Sequence, residues 1–132
     1  MKSAVLKMDH KIDPKKEIME KIGDLSGIEL MHNNILVATY VRPEKTASGI
    51  IMTDKFRKED EYQGKVGLVI KKGPLAFKDD GPYKWHGQNV EPGEWVWYRI
   101  SDGWQMTING VHCRVFEEAH IRGKLASPDL IL

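Results

Sequence analysis

The chain is poor in cysteine, in long apolar runs and in net charge, and each shortage removes a class of protein. Of its 132 residues only Cys113 carries a thiol. That excludes an intramolecular disulfide framework and any CxxC metal knuckle, and it suits a reducing compartment. Near the N-terminus the apolar stretch Ala4-Val5-Leu6 is too short for a secretory signal core or a membrane span. No membrane partner is therefore expected, and the expected location is the cytoplasm. Lys and Arg number 20 against 19 Asp and Glu, a net charge of +1, so no global field draws the chain to nucleic acid. The length fits one domain with a modest core.

Catalytic patterns are also missing. The histidines at 10, 32, 86, 112 and 120 form no HExxH, and no carboxylate or cysteine spacing around them enforces a metal site. There is no GxGxxG and no GxxxxGK[ST], and Lys71-Lys72-Gly73 lacks the helix that cradles phosphate. His112 adjoins Cys113, but neighbours on a strand face opposite ways, so the thiol reads as a buried strand residue. A protein without enzymatic activity, metal or cofactor is expected. Trp85, Trp95, Trp97, Tyr98 and Trp104 could stack single-stranded nucleic acid. With the charges so evenly mixed, core and subunit-interface packing is the better reading.

What is present reads as one short helix and a series of strands. Asp13-Pro14-Lys15-Lys16-Glu17 opens a helix with an N-cap, a proline at the first position and a carboxylate at the positive end of the dipole. Ile18, Met19 and Ile22 share a face, and Gly23 stops the helix. Too short to stand alone, it should dock on its own domain or on a neighbouring subunit. From Ile28 the pattern turns to strands, at Ile35 to Val41, Lys65 to Ile70, Glu94 to Ile100, Gln105 to Ile108 and Val111 to Phe116. Asn109-Gly110 joins the last two as a type I′ hairpin. The fold class is mainly β, and a small barrel would remove most exposed edges.

Two connections are too long for tight turns. Arg42 to Gln63 is charged yet contains the apolar triplet Ile50-Ile51-Met52, and Gly73 to Pro92 collects glycine, proline and aspartate around Phe77, Tyr83 and Trp85. Long loops in compact domains are usually functional or disordered. Three large apolar side chains left in water forgo about 1.5 to 3 kcal/mol each, so the triplet calls for a partner surface. Periodicity alone leaves it equally well read as a short strand on its own barrel.

Five pieces in order carry a resemblance: Ile35-Leu36-Val37; Glu44 to Met52; Gly64 to Val69; Val90-Glu91-Pro92-Gly93-Glu94-Trp95-Val96; and Ile108-Asn109-Gly110 followed by Glu117 to Ile121. Over about Ile28 to Gly123 the chain resembles the GroES-type co-chaperonins, the lids of double-ring chaperonins, and among them divergent forms carried by bacteriophages. The resemblance implies a small, partly irregular GroES-like β-barrel with long loop insertions, assembled into a ring. It implies that 42–63 corresponds to the family's mobile loop, with Gly49, Ile50, Ile51 and Met52 docking on the chaperonin, and that 73–92 takes the place of the roof hairpin. Ser48 stands where a second glycine is usual, and Leu30-Met31-His32-Asn33-Asn34 replaces the usual P-L-x-D-R.

Residues 1–27, with the helix, and 124–132 lie outside the expected barrel domain 28–123. They look like extra subunit contacts, with Ile18, Met19, Ile22, Leu125, Leu130 and Ile131 as the candidate interface of a homo-oligomer. The implied function is that of a non-enzymatic lid in the bacterial host cytoplasm, assisting ATP-dependent protein folding. The alternative is a virion structural protein on the same fold, bound to capsid, portal or tail proteins.

Overall fold

The computed structural model describes residues 13–41, 65–80 and 83–131. Within them stand α1 (Pro14–Ile22), β1 (Asn34–Thr39), β2 (Val66–Lys72), β3 (Trp95–Trp97), β4 (Trp104–Ile108), β5 (Val111–Glu117) and β6 (Gly123–Leu125). Single 3-10 turns follow at Glu118–His120 and Pro128–Leu130.

Helix α1 begins and ends where its capping residues dictate. The Asp13 carboxylate accepts the Lys15 N–H at 3.2 Å, Pro14 sits where a missing N–H costs nothing, and Gly23 turns the chain away at φ 68°. Nine residues make a helix too short to persist in water, so packing must hold it. Ile22 is buried in the core, with Ile18 packed beside it. The Asn109 side chain donates to the Ile22 carbonyl at 2.6 Å, pairing one of the carbonyls that a helix end leaves open. Of the two docking sites left open by the sequence, the helix takes its own chain.

All strand pairs are antiparallel, and the sheet order is β4-β5-β1-β2-β3-β6. Asn109 and Gly110 adopt φ of 50° and 79°, which makes the β4–β5 hairpin the tight turn predicted. Central β1 is buried from Ile35 to Thr39 and feeds two cores by alternation. Leu36 and Ala38 join Leu68, Ile70, Trp95 and Cys113 on the first face. Ile35 and Val37 join Val69, Val96, Tyr98 and Phe116 on the second. Close approach between β1 and β2 is possible because position 67 is glycine; a Cβ there would lie 2.1 Å from Val37 Cγ1.

The sheet is open, which corrects the expectation of a closed barrel. Its end strands, β4 and β6, are not paired with each other. β3 and β6 have only three residues each, too little pairing length to carry the sheet round to β4. The strand expected through Ile100 therefore stops at Trp97, and the chain turns at Arg99, whose carbonyl accepts the Asp102 N–H at 3.1 Å. Among the described residues no helix is long and apolar enough to cross a membrane.

Candidate functional site

The sites expected to meet a partner, Gly49, Ile50, Ile51 and Met52, lie outside the described residues. The structure does show how that segment is held at its base. It leaves after β1 and returns into β2, two adjacent antiparallel strands whose last pair is Thr39 with Gly67. One residue further on, the Tyr40 N–H still donates to the Val66 carbonyl at 2.9 Å. Tyr40 itself is buried, its ring meets Trp95 edge-on at 5.5 Å, and its hydroxyl donates to Asp129 at 2.8 Å. Both stems of 42–64 are thus set in the sheet, and one is tied to the C-terminal segment.

The 73–92 loop is anchored differently, through polar groups of which Glu118 is buried. Glu118 is buried, and its carboxylate accepts the Phe77 N–H at 2.6 Å, which holds Phe77 at φ 60°. A bulky side chain rarely adopts that backbone conformation, and it persists only where its surroundings over-determine it. Trp85 meets Phe77 edge-on at 4.8 Å, with Tyr83 against Trp85 at 5.7 Å. At the far side of the loop Lys72 pairs with Glu91 at 2.9 Å and donates to the Asn89 side-chain Oδ1 at 2.8 Å. The Lys72 bond, with Asn89 beside it, holds the Glu91 carboxyl below the usual range.

Arg114 is wholly buried on β5. Its guanidinium donates to the carbonyls of Ile100 and Asp102 at 2.6 and 3.2 Å and lies 5.4 Å from the centre of the Tyr98 ring. It pins the turn that presents Trp104, which is 80% exposed at the start of edge strand β4. Sequence reading missed both Arg114 and Glu118. The only signal was position: Arg114 lies between the apolar residues Cys113 and Val115, and Glu118 lies two residues after the buried Phe116.

The proposed interface residues separate into two groups. Ile22 is buried inside the chain, and Ile18, Leu125 and Ile131 pack against the first core. Met19 and Leu130 remain outward, 41% and 46% exposed. For catalysis the described residues offer little. Burial pushes the Cys113 thiol up to about 11, so it is not a nucleophile at neutral pH. His112 turns instead to Thr39 and Gln105, at 3.1 and 3.2 Å. No group of three or more His, Cys, Asp or Glu able to hold a metal ion occurs among the described residues.

Residues 27–125 match the family model described as chaperonin 10 Kd subunit. The chain belongs to the chaperonin 10 family. The match runs from the segment before β1 to the last residue of β6, includes all of 42–64, and omits α1 and the 3-10 turn at Pro128–Leu130. The co-chaperonin GroES of Dinoroseobacter shibae is 29% identical over 93 residues, which is 70% of this chain and 84% of that protein. The co-chaperonin GroES of Maricaulis maris is 28% identical over 96 residues, 73% of this chain and 95% of that protein. A chaperonin 10 sheet is therefore flanked here by two segments beyond the family match, and both pack on the first core.

Proposed function

We propose that the protein is a co-chaperonin, an oligomeric lid that caps a double-ring chaperonin in the bacterial cytoplasm and assists ATP-dependent folding without enzymatic activity of its own. The observation that carries this reading is the family match across both stems of 42–64, the segment that holds the apolar triplet. Both named relatives are co-chaperonins, which weighs for a lid over a virion component. In this reading Gly49 matches the glycine that precedes the family's tripeptide, and Ile50, Ile51 and Met52 enter an apolar groove on the chaperonin.

The energetics suit a reversible cap. Ordering a loop costs about 1 to 2 kcal/mol per residue, which offsets much of what burying three apolar side chains supplies. One arm then binds weakly, and a ring of identical arms converts weak contacts into avidity. Nucleotide-driven changes in the chaperonin release it. Residues 28–123 act as the ring-forming domain, and Met19 and Leu130, outward on the two added segments, contribute to contacts between copies.

Co-sedimentation with a bacterial double-ring chaperonin tests the reading. Binding should require nucleotide and be lost in Ile51→Asp while assembly is unchanged. An Ile51→Asp variant that binds as the parent does would remove the triplet from the mechanism.

A further inference from the structure

We infer that Asp129 is a positioning residue for chaperonin binding: by holding the Tyr40 hydroxyl from the C-terminal segment, it fixes the point and direction at which 42–64 leaves the sheet. The inference rests on the lid reading. It also goes beyond the family, because Asp129 lies past Leu125, the last matched residue.

Tyr40 is where the chain passes from the sheet into that segment, since the last β1–β2 pair is Thr39 with Gly67. Its N–H donates to the Val66 carbonyl at 2.9 Å, and its ring meets Trp95 edge-on at 5.5 Å. Both of those holds lie within the family match. The third, from the hydroxyl to Asp129 at 2.8 Å, acts at the far tip of the side chain. A small rotation of the residue moves that atom most, so this bond constrains orientation better than the other two. Its acceptor is a carboxylate and its donor belongs to a buried side chain, so the bond is of the stronger kind and water competes little for it.

Asp129 is in turn held in place. The Ser127 hydroxyl oxygen accepts the Asp129 N–H at 3.4 Å, Pro128 is buried, and Ile131 packs on the first core. β6 brings the segment there, with Leu125 opposite Trp95 in the sheet. A circuit thus closes from Tyr40 through Trp95 and Leu125 to Asp129 and back to Tyr40. A fixed exit matters for a ring of arms. Avidity needs every arm to reach its site at once, and a base ordered beforehand removes an ordering cost from each contact.

The test is nucleotide-dependent binding of the full-length protein to a bacterial double-ring chaperonin, read together with amide exchange of the free protein. Asp129→Ala and Tyr40→Phe should each bind about tenfold more weakly and exchange the Tyr40 amide about tenfold faster, the scale of one lost hydrogen bond. The double variant should be no weaker than either single one, because the same contact is removed in all three. Asp129→Asn, which keeps an acceptor oxygen, should bind within about threefold of the parent. Unchanged exchange across β4 and β5 and unchanged sedimentation show that fold and assembly are kept. Parent-like binding by Asp129→Ala, additive effects in the double variant, or loss of assembly in Asp129→Ala overturns this inference alone. No nucleotide-dependent binding by the parent overturns the lid reading, and this inference with it.

Discussion

The two faces of the central sheet are closed by different means. On the first face Leu36, Leu68, Ile70 and Trp95 are covered by apolar side chains, several from segments outside the chaperonin 10 match: Ile18 and Ile22 of α1, and Ile131 near the C-terminus. On the second face the cover is a loop within the match, and its fixed points are charged: Glu118 holds Phe77, and Arg114 holds the turn at Ile100 and Asp102. An apolar cover tolerates changes of shape at modest cost. A cover set by buried charge does not, because removing one partner leaves buried polar atoms unpaired. The added segments thus strengthen a face without dictating its geometry, and the family loop has its geometry dictated.

Breaking the second face should cost most. Arg114→Met leaves the Ile100 and Asp102 carbonyls unpaired and should lower stability by about 3 kcal/mol in urea unfolding. Amide exchange should quicken at 73–80 and 99–103 before it does in α1. Ile22→Ala on the first face should cost about 2 to 3 kcal/mol by transfer and cavity terms, with exchange quickening in α1 instead. Smaller still is Asn109→Asp, which keeps a turn-forming side chain but removes the donor to Ile22, at about 1 kcal/mol. In a double-mutant cycle its effect should shrink when α1 is already loosened by Ile22→Ala.

Alkali sharpens the comparison further, since each face buries a group that must stay protonated. Burial pushes Tyr98 from 10.0 up to about 12, against the pull of Arg114 and Thr39, and pushes Cys113 from 9.0 up to about 11. Both values are raised on folding, so both contributions are intact below the unfolded values and fade as pH rises through the folded ones. Stability should fall between pH 9 and 12, and a thiol reagent at pH 8 should modify Cys113 only on unfolding.

Much of this was legible in the residues. Asp13, Pro14 and Gly23 set the helix, Asn109-Gly110 set the hairpin, and the run from Ile35 to Ala38, buried on both sides, set the central strand. These are local signals, and local chemistry decides them. The open sheet was not legible, because closure depends on how far β3 and β6 pair, and Glu94 to Ile100 looks continuous whether or not the chain turns at Arg99. Arg114 and Glu118 were hidden for a related reason: a charged residue on a strand reads as a solvated face until its partners, carbonyls and an N–H distant in sequence, are known. For Gly49 to Met52, which lie outside the described residues, the apolar triplet in a charged loop called for a partner surface, and the resemblance alone suggested a chaperonin as that partner.

The central claim is that the 42–64 segment, carried on a rigid base at Tyr40 and Val66, is what meets the chaperonin. Hydrogen exchange of the protein alone and with a double-ring chaperonin plus ATP tests it most directly. New protection should centre on Gly49 to Met52 and leave α1 and the 73–92 loop unchanged. Protection at α1 or the 73–92 loop with none at the triplet would contradict it.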